Sequence, residues 1–445
     1  MKGFTDELNY VVELLEGGTT LDDVVDNHIY EQALAEKNAF VVADLGALLQ
    51  QHVLWQSTLP LVRPFYPVKC NSSPAVIEIL AALGVGFMCA NKAEVSMVLN
   101  HDVSPENIIL SGVCKQQSHI KHAAKNGVNY LVCDNEAELG KIARAHPNAK
   151  LLLQLCTEAQ TEEASMLFGC SLKSCRHLLE AAKGMGVDVI GVVFQVPASC
   201  KDPQVYAHAL SDARCVFDMG ELGFNMEVLD IGSGFSGSEY QLKQIHAAIR
   251  PLLEAYFPVK SGVRVIAEPG TFYVSSSFTL VVNVIGKKLV ARDLHGESKE
   301  LTLSDDPEFL YYLSDGVFGS FVGKLLGNII PSPSVHKMSL SADKPVFSSS
   351  LWGPSFDVLD QVVEHCLLPE LSVGDWLIFK NIGACGNEET AVISDSEKPS
   401  MYYTISESSW FEMQEAGISL DNTMKNFSLV PYESCILLSI LFKIW

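Results

Sequence analysis

Pro64-Phe65-Tyr66-Pro67-Val68-Lys69-Cys70-Asn71 is the stretch whose reading decides the fold of this chain. The mostly apolar and aromatic run 61–68 reads as a short buried strand. It ends in one lysine, followed by the polar turn Asn71-Ser72-Ser73 and an apolar-periodic helix over 75–83. A lysine at the end of a buried strand has two readings. Desolvation lowers its pKa and frees the amine for an imine with a carbonyl compound, or its stem lies on apolar surface while the ammonium reaches water.

Working outward, buried strands alternate with amphipathic helices. Strands are expected at 62–69, 86–89, 107–111, 130–133, 150–156, 189–196, 227–231 and 263–268. Helices are expected at 73–83, 92–99, 116–126, 135–145, 171–186, 203–219 and 240–257. Eight such strands predict a (β/α)8 barrel over 39–270, with 38–44 as the join where the chain enters it. From about Thr271 the pattern turns to short alternating strands, as at 279–287 and 376–380, which predicts an all-β domain over 271–430. Residues 1–38 are expected to join that domain, 293–306 and 331–343 to be polar loops, and 431–445 to form a separate tail. A barrel carries its chemistry at the C-terminal ends of its strands. Here those ends bear Lys69, Met88, Asp134, Gln154, Gln195, Gly232 and Glu268, a poor set for acid–base work.

Composition narrows the partners. With 445 residues, 48% of them hydrophobic, the chain can bury large cores, and a net charge of −22 argues against nucleic acid and anionic membrane. That charge favours a basic protein or a polycation. The twelve cysteines are scattered, with no Cys-x-x-Cys pair, and read as reduced buried thiols rather than a disulfide framework or a metal site. The acidic start lacks a basic region followed by an apolar core, so no signal peptide is expected. The longest apolar run near the end, 435–445, contains Lys443 and falls well short of the ~20 residues that span a bilayer.

The lysine stretch does not stand alone. Ser211-Asp212-Ala213-Arg214-Cys215-Val216-Phe217-Asp218, Leu229-Asp230-Ile231-Gly232, Glu268-Pro269-Gly270, Trp352-Gly353-Pro354 and Gly374-Asp375-Trp376 accompany it. Together they resemble the eukaryotic ornithine decarboxylase family over about residues 39–430. The resemblance implies a barrel of the alanine-racemase type, a sandwich-like β domain and a pyridoxal phosphate site built on Lys69. Lys69, Glu94, Glu268 and Asp357 match that site. The rest departs from it: Met88 stands for an aspartate, Gln154 for an arginine, Gln195 for the histidine that stacks on the pyridine, and Ala198 for a phosphate-binding serine. Ser233 interrupts the glycine loop, Thr271 replaces the phosphate arginine and Cys385 the last phosphate tyrosine. Phe356 replaces the cysteine that donates the proton, and Gly327 one of two substrate aspartates, with Leu326 and Phe318 for two tyrosines. Without a cation, desolvating a phosphate costs several kcal/mol, so the implied cofactor is none. The bland reading of the survivors is a satisfied polar cluster of Lys69, Glu94 and Glu268 in the barrel mouth.

A scaffold kept while its site is lost resembles the antizyme inhibitors, and Met1-Lys2-Gly3-Phe4, Pro105-Glu106-Asn107-Ile108-Ile109 and Met424-Lys425-Asn426-Phe427 favour the first of their two paralogues. The resemblance implies antizyme as partner, release of ornithine decarboxylase, more polyamine synthesis and uptake, and a cytoplasmic location extending to the nucleus. The matching element, 115–139 and onward, nominates Lys115, Gln117, Lys121, Lys125, Glu136, Glu138, Lys141 and Arg144 for antizyme binding. The helix 116–126 would turn Ile120, Ala123 and Ala124 inward and Gln117, Lys121 and Lys125 outward. The plain alternative is a solvated outer face of a barrel. The altered seam residues, with Leu167 for a lysine, imply a monomer or weak homodimer. The competing function is a divergent pyridoxal-phosphate-dependent ornithine decarboxylase.

Overall fold

The computed structural model describes residues 10–33, 37–157, 168–197, 200–221, 223–290, 309–325, 327, 329–337, 345–384 and 398–415, with the backbone of 424–426. These residues fall into two units, one drawing on the chain up to Ala47 and from Ser276 on, the other on Leu48–Ser275.

The chain opens with β1 (Val12–Leu15), α1 (Leu21–Ala33) and β2 (Phe40–Asp44). Eight parallel strands then close a barrel: β3 (Val62–Pro67), β4 (Gly86–Cys89), β5 (Ile108–Leu110), β6 (Tyr130–Cys133), β7 (Lys150–Leu155), β8 (Asp188–Phe194), β9 (Val228–Asp230) and β10 (Arg264–Ala267), which pairs back onto β3. Around them run α2 (Leu45–Thr58), α3 (Pro74–Ala82), α4 (Lys92–Leu99), α5 (Gln117–Lys125), α6 (Glu136–Ala145), α7 (Leu172–Met185), α8 (Gln204–Gly220) and α9 (Glu239–Tyr256). All eight strands fall where apolar runs place them, because a strand buried on both faces must be apolar throughout.

Local chemistry sets the helix starts. The Asn91 side chain accepts the Ala93 and Glu94 N–H groups, Asn135 accepts that of Glu138, and Ser171 and Ser238 cap α7 and α9. Inside the barrel, Phe65, Met88, Ile109, Val132, Leu152, Val193 and Ile266 form one buried cluster. Each such side chain contributes about 1.5–3 kcal/mol by leaving water, which outweighs any one cap.

The other unit follows α10 (Gly270–Val274) and holds β11 (Phe278–Leu289), β12 (Phe309–Leu313), α11 (Val322–Leu325), β13 (Pro333–Val335), β14 (Val346–Trp352), β15 (Gln361–Pro369), β16 (Trp376–Phe379), β17 (Ser400–Ser406), α12 (Glu407–Glu415) and β18 (Met424–Asn426). Its ten-stranded mixed sheet runs β15-β14-β12-β11-β2-β17-β1-β18, with β16 on β11 and β13 on β16. Helix α1 seats Val24, Val25 and Ile29 on Phe40, Val42 and Trp376 of this sheet.

Three expectations change. Strand β2, counted with a barrel beginning at 39, pairs with β11 and β17 in the sheet instead. Its run Phe40-Val41-Val42-Ala43 is apolar on both sides and carries no mark of which sheet takes it. Residues 333–335, read as loop, form the edge strand β13, which Pro333 can begin because its ring needs no donor there. The ten described cysteines are free, as expected, but Cys114 and Cys215 are exposed rather than buried. The expected loop 293–306 and tail 431–445 lie outside the described residues. Among the described residues no helix is long and apolar enough to cross a membrane, and no three His, Cys, Asp or Glu side chains gather to hold a metal.

Candidate functional site

The C-terminal ends of the barrel strands surround a cavity of about 360 Å³. Lys69, Met88, Gln154, Gln195, Ser233 and Glu268 line it, joined by Ser111, Gly112, Val113 and Phe168 from the loops. Strand-end reasoning placed five of these side chains and missed the loop residues, which no period in the sequence marks. The Lys69 side chain is exposed and makes no ion pair or hydrogen bond among the described residues. Glu94 is buried, and its carboxylate accepts the Ala90 N–H at 2.6 Å and the Asn91 amide at 2.8 Å. It closes the first turn of α4, so the expected cluster of Lys69, Glu94 and Glu268 does not form as one unit.

A different chain of bonds occupies the mouth. The Gln195 amide donates to Glu268 Oε1 at 2.5 Å, and Gln195 Oε1 accepts from the Ser233 hydroxyl at 2.8 Å. Ser233 Oγ also lies 2.9 Å from the Val196 carbonyl, and the Tyr206 hydroxyl donates to the Ser233 carbonyl at 2.6 Å. Gly232, at φ +69°, needs the left-handed region, and a Cβ there would run into the Phe194 carbonyl. Asp230 is fully buried beneath this loop and accepts the Gly232 N–H at 2.8 Å, while its Oδ2 meets no donor. Burial, then the nearby charge of Glu268, pushes the Asp230 carboxyl well above the usual range. Glu268 is raised by burial too, opposed first by the Lys69 ammonium. Both carboxyls therefore favour the protonated form more than an exposed acid does, Asp230 the more strongly.

Pyridoxal phosphate would ask this mouth for an open amine, a free carboxylate and a cradle for a dianion. Lys69 offers the amine. Glu268 is already engaged by Gln195, the Ser233 hydroxyl is turned to Gln195 and Val196, and the Gly232 N–H is taken by Asp230. Lys69 is the one cation in the lining among the described residues, and Thr271 supplies no charge from α10. Among the described residues of the lining, Lys69 alone would meet the phosphate with a positive charge. Ala198 and Cys385 lie outside the described residues, as do Leu167 and Leu326. Asp357, in the other unit, is exposed and accepts the Leu359 N–H at 2.8 Å, next to Phe356, which is 99% exposed at φ +60°.

The second candidate surface is the outer face of α5 and α6. Ile120 and Ala123 are buried and Ala124 half-buried, while Gln117, Lys121 and Lys125 are exposed along one stripe, as their spacing predicts. Glu136 and Arg144 are exposed as well, Glu136 being 2.9 Å from His177. Two nominated residues are not on the surface. The Lys115 side chain is 1% exposed and that of Glu138 3%, 3.2 Å apart. The Lys115 ammonium donates to the Gly112 and Val132 carbonyls at 2.7 and 2.5 Å, and Lys141, half-buried, reaches Glu138 Oε2 at 2.5 Å and the Lys115 carbonyl. Sequence periodicity missed this because Lys115 precedes the helix and Glu138 points inward at its third position to serve two lysines.

Residues 45–275 match the family model described as "Pyridoxal-dependent decarboxylase, pyridoxal binding domain". Over 442 residues, 99% of this chain and 98% of the other, the chain is 56% identical to antizyme inhibitor 1 of Pongo abelii. It is 46% identical to ornithine decarboxylase of Rattus norvegicus, over 93% of this chain and 91% of that one. Among solved structures it resembles the arginine decarboxylase of Paramecium bursaria Chlorella virus, bound to agmatine, at TM-score 0.77 and 27% identity, covering 86% of this chain and all of that one. The barrel, the lysine at the end of its first strand and these likenesses lead to one conclusion: the chain belongs to the family of pyridoxal-dependent decarboxylases, alongside ornithine decarboxylases and antizyme inhibitors.

Proposed function

We propose that this chain is a non-catalytic member of its family that binds antizyme, frees ornithine decarboxylase from inhibition and degradation, and so promotes polyamine synthesis and uptake. The observation that carries the reading is the mouth of the barrel, where Gln195 and Ser233 bond to each other and to Glu268 and leave a lone lysine to meet a dianion. Electrostatic preorganisation is usually the largest catalytic term, and a site that spends its polar groups on one another cannot supply it. The 56% identity to antizyme inhibitor 1 across 442 residues supports the same reading. On this reading the protein acts in the cytoplasm and nucleus and holds no pyridoxal phosphate at Lys69.

The contact surface in this proposal is the exposed stripe of Gln117, Lys121 and Lys125 with Arg144 and Glu136. Lys115, Glu138 and Lys141 hold that stripe in place. A few residues carry most of an interface's energy, and the exposed cations of this stripe favour acidic groups locally, against the long-range preference that a net charge of −22 gives the whole chain. Reversing Lys121 and Lys125 together should weaken antizyme binding by ~2–4 kcal/mol, mainly through slower association at low salt. The test adds the double variant to a preformed complex of antizyme and ornithine decarboxylase and measures released enzyme. Release equal to the parent's, at an unchanged melting temperature, would remove this face from the proposal. The competing reading, an active decarboxylase, requires an absorbance band from an imine that disappears in Lys69→Ala. None is expected.

A further inference from the structure

At the end of the barrel opposite Lys69, the segments entering β3 and β10 and the helix α9 border a groove of about 740 Å³. Its wall includes Leu61 and Val259, exposed by 70% and 75%, with Phe257 and Ile266 buried behind them. Two exposed arginines, Arg63 and Arg264, also line it. Arg63 lies over the Phe65 ring at 5.5 Å and donates to the Gly84 carbonyl at 3.2 Å. Arg264 lies over the Tyr130 ring at 5.8 Å and donates to its hydroxyl at 3.3 Å. Parallel pairing sets Arg63 opposite Ile266, so both arginines emerge at the same end of adjacent strands, two residues before the inward Phe65 and Ile266. Neither makes an ion pair among the described residues, although Arg250 on the same groove is matched by Glu254 at 2.9 Å. Burial and the charge of Arg264 hold the Arg63 pKa below its ordinary value, with Glu106 opposing. In a chain this acidic, two neighbouring arginines beside an apolar wall, with no direct ion pair among the described residues and Glu106 acting on Arg63 only through its charge, form an unusual pair of features.

We propose that this groove binds a carboxylate-headed hydrocarbon, a medium- to long-chain fatty acid in chemical class. The planar forks of Arg63 and Arg264 match a carboxylate, and the chain lies along the exposed Leu61 and Val259. A concave, mainly apolar site with few polar groups at one end, within the ~300–1,000 Å³ of ligand pockets, is what such a molecule requires. The inference does not depend on antizyme binding, since the groove and the α5–α6 stripe use different residues.

The test is calorimetric titration of the full chain with dodecanoate below its micelle concentration, with dodecylamine as the cationic control. We expect saturable one-site binding of dodecanoate and none of dodecylamine. Arg63→Gln and Arg264→Gln should each weaken binding at least tenfold. Val259→Asp should weaken it at least fivefold through the apolar wall, and its exposed position leaves the melting temperature unchanged. If an arginine variant fails to fold, Val259→Asp decides alone. Absence of saturation with dodecanoate, equal binding of dodecylamine, or a Val259→Asp protein that binds like the parent would overturn the proposal.

Discussion

Asp230 and Glu268 place two buried carboxyl groups side by side, and the proton they share has a measurable consequence. Burial, then the charge of Glu268, holds Asp230 well above the ~3.9 it has in an unfolded chain. The native state thus keeps a proton that the unfolded chain releases near pH 4. Stability from this group is complete below that pH and is lost as pH rises towards the shifted value. Asp230→Asn keeps an acceptor for the Gly232 N–H and removes the titration. Its stability relative to the parent should therefore grow as pH rises from ~4 towards the shifted value, by up to ~1.4 kcal/mol per unit. Denaturant unfolding of both proteins across that range checks this. A constant gap would mean that Asp230 is ionised in the native state.

At the scale of elements, the α5–α6 pair owes its geometry to one buried carboxylate. Glu138 accepts the Lys115 N–H and both lysine ammoniums, and the Asn135 cap fixes the turn that aims it. Burial pulls the Lys115 pKa down and Glu138 pulls it back, so the pair is a compensated cost rather than a large gain. Removing one partner leaves an uncompensated charge. Glu138→Gln should cost about 3–5 kcal/mol in equilibrium unfolding, against less than ~0.5 for Lys121→Ala on the exposed stripe. Equal small effects would show that water reaches Lys115. A variant at Lys115 or Glu138 that loses antizyme binding would accordingly act through displaced helices, whereas one at Lys121 or Lys125 would act by contact.

For the whole molecule, the open quantity is self-association. Phe356, Val358 and Leu359 expose 99%, 82% and 62% of their surface in one turn, an apolar patch suited to a second copy. Against it stands a charge of −22 on every subunit, which repels at long range and is screened by salt within ~10 Å at 0.1 M. We expect a monomer at nanomolar concentration and a weak dimer that strengthens as salt rises. Sedimentation at low and moderate salt checks both, and a tight dimer at nanomolar protein in low salt would contradict the expectation.

Apolar patterning alone is enough for the barrel and for the position of its mouth. A strand buried on both faces has to be apolar, and the residues that break each run, Lys69, Gln154, Gln195 and Glu268, have to lie where the chain leaves the barrel. It determined the α5 stripe too, because a helix repeats every 3.6 residues whatever it packs against. Other features required the tertiary structure. Strand β2 went to the sheet because register with β11 and β17, not its own apolar residues, selects its neighbours. Lys115 and Glu138 left the surface because they meet across 23 positions of chain, a distance no local pattern spans. The Ser233–Gln195–Glu268 bonds and the paired arginines of the groove likewise join separate strands, and which polar groups satisfy one another is settled only when those strands close the barrel.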